Sequence, residues 1–171
     1  MSTQDSSAGA PVRLRPPRHR VERRAVGWWS AQAAVLVVPP VVVLAVLAAL
    51  IAPARPWLLL GLLVVVLLGL PYLLVMPRWR YRVHRWESTE HAVYTAAGWV
   101  RQEWRVAPMS RIQTVDSVRG PLQRAFGLAS VTVTTASAAG ALRIDGLDHR
   151  VAEELVERLT ATTQAVRGDA T

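Results

Sequence analysis

The sequence predicts a membrane-embedded α-helical hairpin followed by a small, mainly β domain of antiparallel strands that a C-terminal α-helix closes. Three observations carry this. Between Arg24 and Arg78 the only charged residue is Arg55, so residues 25–54 and 56–77 form two uncharged, mostly aliphatic runs. After Met76 the hydrophobic period shortens to two, the period of a half-buried strand. From Asp148 onward it lengthens again to helical spacing.

The elements follow in order. Residues 1–24 hold Ser, Pro, Gly and Arg and almost no large apolar residue, the composition of a disordered basic tail. Two spans follow, at about residues 31–52 and 57–76. A bilayer core about 30 Å thick needs roughly 20 apolar residues in a helix, and each run supplies them. Backbone amides in lipid must be satisfied within the segment, so each span is helical. Pro39-Pro40 removes helix hydrogen bonds inside the first span and either kinks it or makes it re-entrant. Gly61 and Gly69 fall near one face of the second span, where the first can approach closely.

Arginine sets the topology. Arg13, Arg15, Arg18, Arg20, Arg23 and Arg24 precede the hairpin, Arg78, Arg80, Arg82 and Arg85 follow it, and the connecting loop has Arg55 alone. The positive-inside rule then puts both termini in the cytoplasm, in a multi-pass protein of the inner (plasma) membrane. Trp28, Trp29, Trp57, Tyr72 and Trp79 cluster at the predicted boundaries and read as aromatic interface belts. A cleaved signal peptide ending near Ala52-Pro53-Ala54 is the rival. The leader is too long for it, the apolar stretch exceeds an h-region, and a second span would remain.

In the domain, Trp79, Tyr81 and Val83 alternate with Arg80, Arg82 and His84 and predict a first strand. Ala92 to Thr95, a turn at Ala96-Ala97-Gly98, and Trp99 to Val106 predict a hairpin. Ile112 to Val118 is a strand, Pro121 to Phe126 a helical turn ended by Gly127, and Ala129 to Thr135 a strand rich in Val and Thr. Ser137 to Gly140 turns the chain and Ala141 to Ile144 returns it. Asp148 caps a helix over about 149–167, with Val151, Leu155, Leu159, Thr162 and Val166 as its apolar stripe. Such a helix covers the open face of the sheet.

The formal charge of +8 raises the question of nucleic acid, and its distribution answers it. Residues 1–85 carry +9 and residues 86–171 carry −1, so the basic charge hugs the membrane and the domain is nearly neutral. A nucleic-acid binder carries its basic face on the folded domain. The basic flanks can attract anionic membrane lipid as well as orient the hairpin. Cysteine is absent, which removes disulfides and thiolate chemistry.

The stretch from Trp79 to Leu159 resembles the bacterial pleckstrin-homology (PH) domain of the YdbS-like membrane proteins. The residues that carry the likeness are Gly98, Pro108, Arg111-Ile112-Gln113, Gly120, Arg124, Phe126-Gly127 and the Val131 to Thr135 strand, after two spans. The resemblance implies a PH-like barrel of antiparallel strands capped by the C-terminal helix, over residues 78–167. It implies a link to the cell envelope and a partner that is another membrane protein, such as a larger relative with several such domains, with oligomers allowed. It points to scaffolding or protein binding and not to a reaction.

No catalytic motif argues otherwise: the chain has no Walker loop, nucleophile elbow, dinucleotide fingerprint or His-Glu-x-x-His. His19, His84, His91 and His149 lack the spacing of a metal site, no cofactor is called for, and Ser110, Asp116 and His149 form a triad only on paper. The polar candidates are Arg111 and Arg124, which recognise an anionic partner or bind structurally with Asp116 nearby. The remaining candidates are Ile112, Gln113, Gly120 and Gly127 of the motif and the juxtamembrane Arg23, Arg24, Arg78, Arg80, Arg82 and Arg85. The loop Trp86-Glu87-Ser88-Thr89-Glu90-His91 is acidic, against inositol-lipid binding by a basic first hairpin. Trp86, Trp99 and Trp104 are core by default or else form an aromatic surface facing the bilayer or a partner, since alternation buries about half of them.

Overall fold

The computed structural model describes residues 17–98, 102–137 and 140–168. Helix α1 (Arg24–Leu50) and helix α2 (Arg55–Val83) are joined through one 3-10 turn, Ala52–Ala54. Both are long and apolar enough to cross a bilayer. At 1.5 Å per residue each runs about 40 Å, roughly 10 Å more than the hydrocarbon core needs. The surplus is at one end: α1 starts at Arg24, ahead of the expected 31, and α2 continues to Val83, past the expected 76.

The strand expected over Trp79 to Val83 is therefore the end of α2. Extending an existing helix adds one hydrogen bond per residue with no new nucleus, and a six-residue alternation does not outweigh that. Met76, Pro77 and His84 are buried and Arg80 and Tyr81 half-buried, which is one helical face and not one strand face. Pro39 and Pro40 lie within α1, which continues through them.

Gly69 is where the two helices meet. A Cβ there would lie 2.6 Å from Val37 Cγ1, and Val37 is stiff at χ1. At Gly61 a Cβ would meet Leu44 at an ordinary 3.9 Å. Gly69→Ala is thus expected to cost about 1–3 kcal/mol through overpacking. Gly61→Ala should stay within about 0.5 kcal/mol. Unfolding of the full-length protein in mild detergent distinguishes the two, and equal effects would refute the close packing.

The domain is built on two antiparallel ladders. One orders β1 (His19–Arg20), β2 (Arg85–Ser88), β3 (Ala92–Ala97) and β4 (Glu103–Pro108). The other orders β5 (Ile112–Val118), β6 (Leu128–Thr135) and β7 (Leu142–Asp148). No ladder joins the two sheets among the described residues, so the expected barrel is an open, PH-like pair of sheets. A short helix, α3 (Pro121–Ala125), links β5 to β6, and α4 (His149–Gly168) covers the second sheet. Asp148 Oδ1 accepts the Arg150 amide at 3.0 Å, as an N-cap should. The buried face of α4 is Ala152, Leu155 and Leu159 with Val156 partly covered, while Val151 is exposed. Leu155 and Leu159 of the expected stripe are buried on the sheet, and Ala152 takes the place expected for Val151.

Two further expectations change. Residues 17–23 are ordered into the domain: β1 pairs with β2, and the Glu22 amide donates to the Gly146 carbonyl at 2.9 Å. The tail expected over 1–24 lies outside the described residues as far as 16. Trp28 and Trp29 are not belt residues. They are buried, Trp29 completely, in a cluster with Val21, Ala25 and Leu128 against which Tyr81, Trp86 and Phe126 pack. Trp57 and Trp79 remain exposed, and Trp104 is exposed on β4, the surface alternative and not the core default. Trp99 lies outside the described residues.

Candidate functional site

The end of α2 and a bulge in β7 build the site. Between Ala129 and Val131 the β6–β7 register shifts, so Asp145 and Gly146 together face Ser130. Gly146 holds φ +76°, and a Cβ there would lie 2.8 Å from Ala25 Cβ, so glycine lets β7 press against α1. A bulge of this kind re-aims a side chain. Here it is Asp145. Its Oδ1 accepts from Ser130 Oγ and from Arg143 Nε, both at 2.7 Å, and its Oδ2 accepts from Arg80 Nη2 at 3.2 Å. Ser130 Oγ in turn accepts from Gln123 Nε2 at 2.7 Å, and Gln123 Oε1 accepts the Gly120 amide at 2.8 Å. A polar chain thus runs from α3 through the buried Ser130 to the end of α2.

Arg80 is held on three sides. Its guanidinium stacks 4.7 Å from the Trp29 ring centroid, and its Nε donates to His84 Nε2 at 3.4 Å. His84 Nδ1 lies 2.9 Å from the Arg80 carbonyl. Nδ1 must donate there and Nε2 must accept, which fixes a neutral imidazole. Burial first, and the Arg80 charge second, push the His84 pKa down to about 4. A second clamp sits at the start of α1. Arg24 Nη2 pairs with Asp148 Oδ2 at 2.5 Å. Slight burial raises the Asp148 carboxyl pKa, but the Arg150 amide and the Arg24 guanidinium outweigh it and hold it below the usual range.

Above Arg80 and His84 a cleft of about 500 Å³ opens where β3 and β4 part from β7. Arg105 and Glu103 of β4 pair at 3.0 Å, and Arg105 Nη1 crosses to the Ala141 carbonyl at 3.0 Å. The lining holds Arg80, Arg105 and Arg143 against Glu103 and Asp145, with His84 neutral. The described lining therefore carries one positive charge more than it balances.

The sequence candidates fall elsewhere. Arg111 is exposed in the 3-10 turn Met109–Arg111, and its carbonyl accepts the Ala136 amide. Arg124 is exposed on α3. β5 separates them by about 20 Å at 3.3 Å per residue, so the two do not form one site. Asp116 accepts from Thr114 Oγ1 and pairs with no arginine among the described residues. It is also about 13 Å along β5 from Ile112, beyond reach of Ser110. Ile112 is core, Gln113 is exposed, and Gly120 precedes α3. Gly127 has φ +66° with Arg24 Nη1 2.8 Å from where a Cβ would sit. Of the juxtamembrane arginines, Arg24 and Arg80 are the clamps. Arg78 donates to the Leu74 carbonyl, Arg85 lies in β2, and Arg23 and Arg82 are exposed. Among the described residues no group of three His, Asp or Glu is placed to hold a metal.

The sequence reading missed Arg143, Asp145, Ser130, Gln123 and Arg105. One signal was available: Arg143 and Asp145 are two apart, and in a strand that puts both on one face.

Comparison with known proteins agrees with this architecture. The family model described as Bacterial PH domain matches residues 32–163. The UPF0699 transmembrane protein YdbS of Bacillus subtilis (strain 168) is 35% identical over 63 residues, 37% of this chain. The matched stretch covers 40% of that relative. No solved structure matches the chain.

Proposed function

The chain belongs to the bacterial PH domain family, and from that premise we propose that it is a non-enzymatic inner-membrane protein that presents its PH-like domain to other proteins of the cell envelope. The membrane hairpin and the domain are the premise. The cytoplasmic placement of both termini rests on the arginine asymmetry. The partner is another membrane protein, such as a larger relative with several PH-like domains.

One observation carries the reading. The Arg24–Asp148 and Arg80–Asp145 clamps, with Trp29 packed between, seat the domain rigidly on the hairpin instead of hanging it on a linker. A seated domain meets membrane-bound partners at high effective concentration, so a modest interface suffices. β4 suits such a use: among the described residues it ends its ladder and exposes Trp104 and Val106. Affinity purification of the full chain in mild detergent tests the reading. A specific membrane protein is expected to co-purify, and Trp104→Glu is expected to weaken its recovery severalfold. Recovery of a lone monomer overturns it.

A second reading, binding of anionic lipid at the inner face, is favoured by the surplus positive charge of the cleft beside the end of α2.

A further inference from the structure

The geometry points to the cleft between β4 and β7 as a phosphate-binding site whose ligand is the headgroup phosphate of an anionic membrane lipid. The inference rests on the lipid reading above and gives it a place and residues.

The cleft has the size for it. At about 500 Å³ it falls within the range of small-ligand pockets. Its arginines come from three elements, Arg80 from α2, Arg105 from β4 and Arg143 from β7, so they converge only in the folded domain. Asp145 is already saturated by Ser130, Arg143 and Arg80, and Glu103 is held by Arg105. Neither carboxylate can absorb the third positive charge, and His84 stays neutral. Arg143 spends only its Nε on Asp145, its side chain is 58% exposed, and its terminal nitrogens have no partner among the described residues. A guanidinium edge of this kind binds phosphate oxygens in a two-pronged fork. Thr95 adds a hydroxyl to the wall.

Depth selects the lipid as source. The Arg80 Cα lies four residues beyond Met76 on α2, about 6 Å along the axis from the end of the apolar run. The headgroup zone adds roughly 5–8 Å to each side of the hydrocarbon core, so the floor of the cleft is level with it. Arg111 and Arg124 lie outside this cleft, which makes them controls.

The test uses the full-length protein in phosphatidylcholine nanodiscs, with and without phosphatidylglycerol, and separately with inorganic phosphate added in solution. A ligand that binds the folded state raises its thermal midpoint by mass action. Phosphatidylglycerol is expected to raise the midpoint of the native protein. Arg143→Gln is expected to weaken the apparent affinity about tenfold, the loss of a charge-assisted contact, while Arg143→Lys keeps part of it. Arg111→Gln and Arg124→Gln are expected to respond as the native chain does. Arg105→Gln serves as a second variant should Arg143→Gln unfold. A response to inorganic phosphate as large as that to phosphatidylglycerol upholds the phosphate site and assigns it a soluble ligand. Native responses from both Arg143→Gln and Arg105→Gln overturn the cleft. If Arg78→Gln or Arg82→Gln abolishes the response in that case, the lipid reading survives without it. A native protein indifferent to both probes removes both.

Discussion

A fragment beginning at Arg78 is expected to lose cooperative unfolding. Cutting there removes Val21, Ala25, Trp28 and Trp29, and of their buried cluster only Leu128 remains. Tyr81, Trp86 and Phe126 would lose the side chains they pack against. Burial of one large apolar side chain is worth about 1.5–3 kcal/mol, and deletion of a core Trp costs about 3–5 kcal/mol. A domain of this size holds only about 5–15 kcal/mol in total. The same cut removes the β1–β2 pairing, the Glu22–Gly146 hydrogen bond and the Arg24–Asp148 clamp. The fragment should keep secondary structure but show weak near-ultraviolet dichroism, bind a hydrophobic dye and unfold without a sharp urea transition. In the intact chain Trp29→Ala should lower stability by about 3–5 kcal/mol. A sharp transition in the fragment would show that the domain is separable and that the helix ends merely rest on it.

That dependence also explains what the sequence revealed and what it hid. β5, α3 and the Asp148 cap were legible because alternation, a Pro-led turn and a capping carboxylate are local signals. The close approach at Gly69 was legible for the same reason, as a small residue inside an apolar helix. Trp28 and Trp29 were not legible. An aromatic pair at the edge of an apolar run has the same sequence whether lipid headgroups or Leu128 lie beside it. The strand expected after Met76 failed on the same boundary, because six alternating residues fit the end of a helix equally well once that end packs on protein. β7 was read only as far as Ile144, whereas it runs on to Asp148 through Asp145-Gly146. In the fold those two residues form the bulge, and the bulge makes the site. Arg80 and Arg24 were read as orientation charges. Their ion pairs with Asp145 and Asp148 join positions 65 and 124 residues apart, which no local pattern encodes.

Acid is expected to loosen the junction between hairpin and domain over a defined window. His84, just past the end of α2, is buried against the Trp29 ring of α1 and beside Arg80, with Arg143 and Asp145 of β7 and Thr95 of β3 on the shared cleft wall. Its pKa is lowered from 6.5 to about 4 in the fold. The unfolded chain therefore binds the proton more readily than the folded one does. Stability from this group is complete above about pH 6.5 and is lost as the pH falls towards 4. A gap of that size corresponds to roughly 3 kcal/mol, a large share of a domain's stability. Protonation would also set another cation beside Arg80, where Asp145 already answers both Arg80 and Arg143. Asp148 acts in a lower window. Its carboxyl is held below the usual range, so its contribution persists until the pH drops below about 4. Urea midpoints of the full chain in detergent should fall between pH 7 and 4, and His84→Gln should flatten that slope whatever it does to stability at pH 7. A native slope retained in His84→Gln would assign the acid sensitivity to the carboxylates instead.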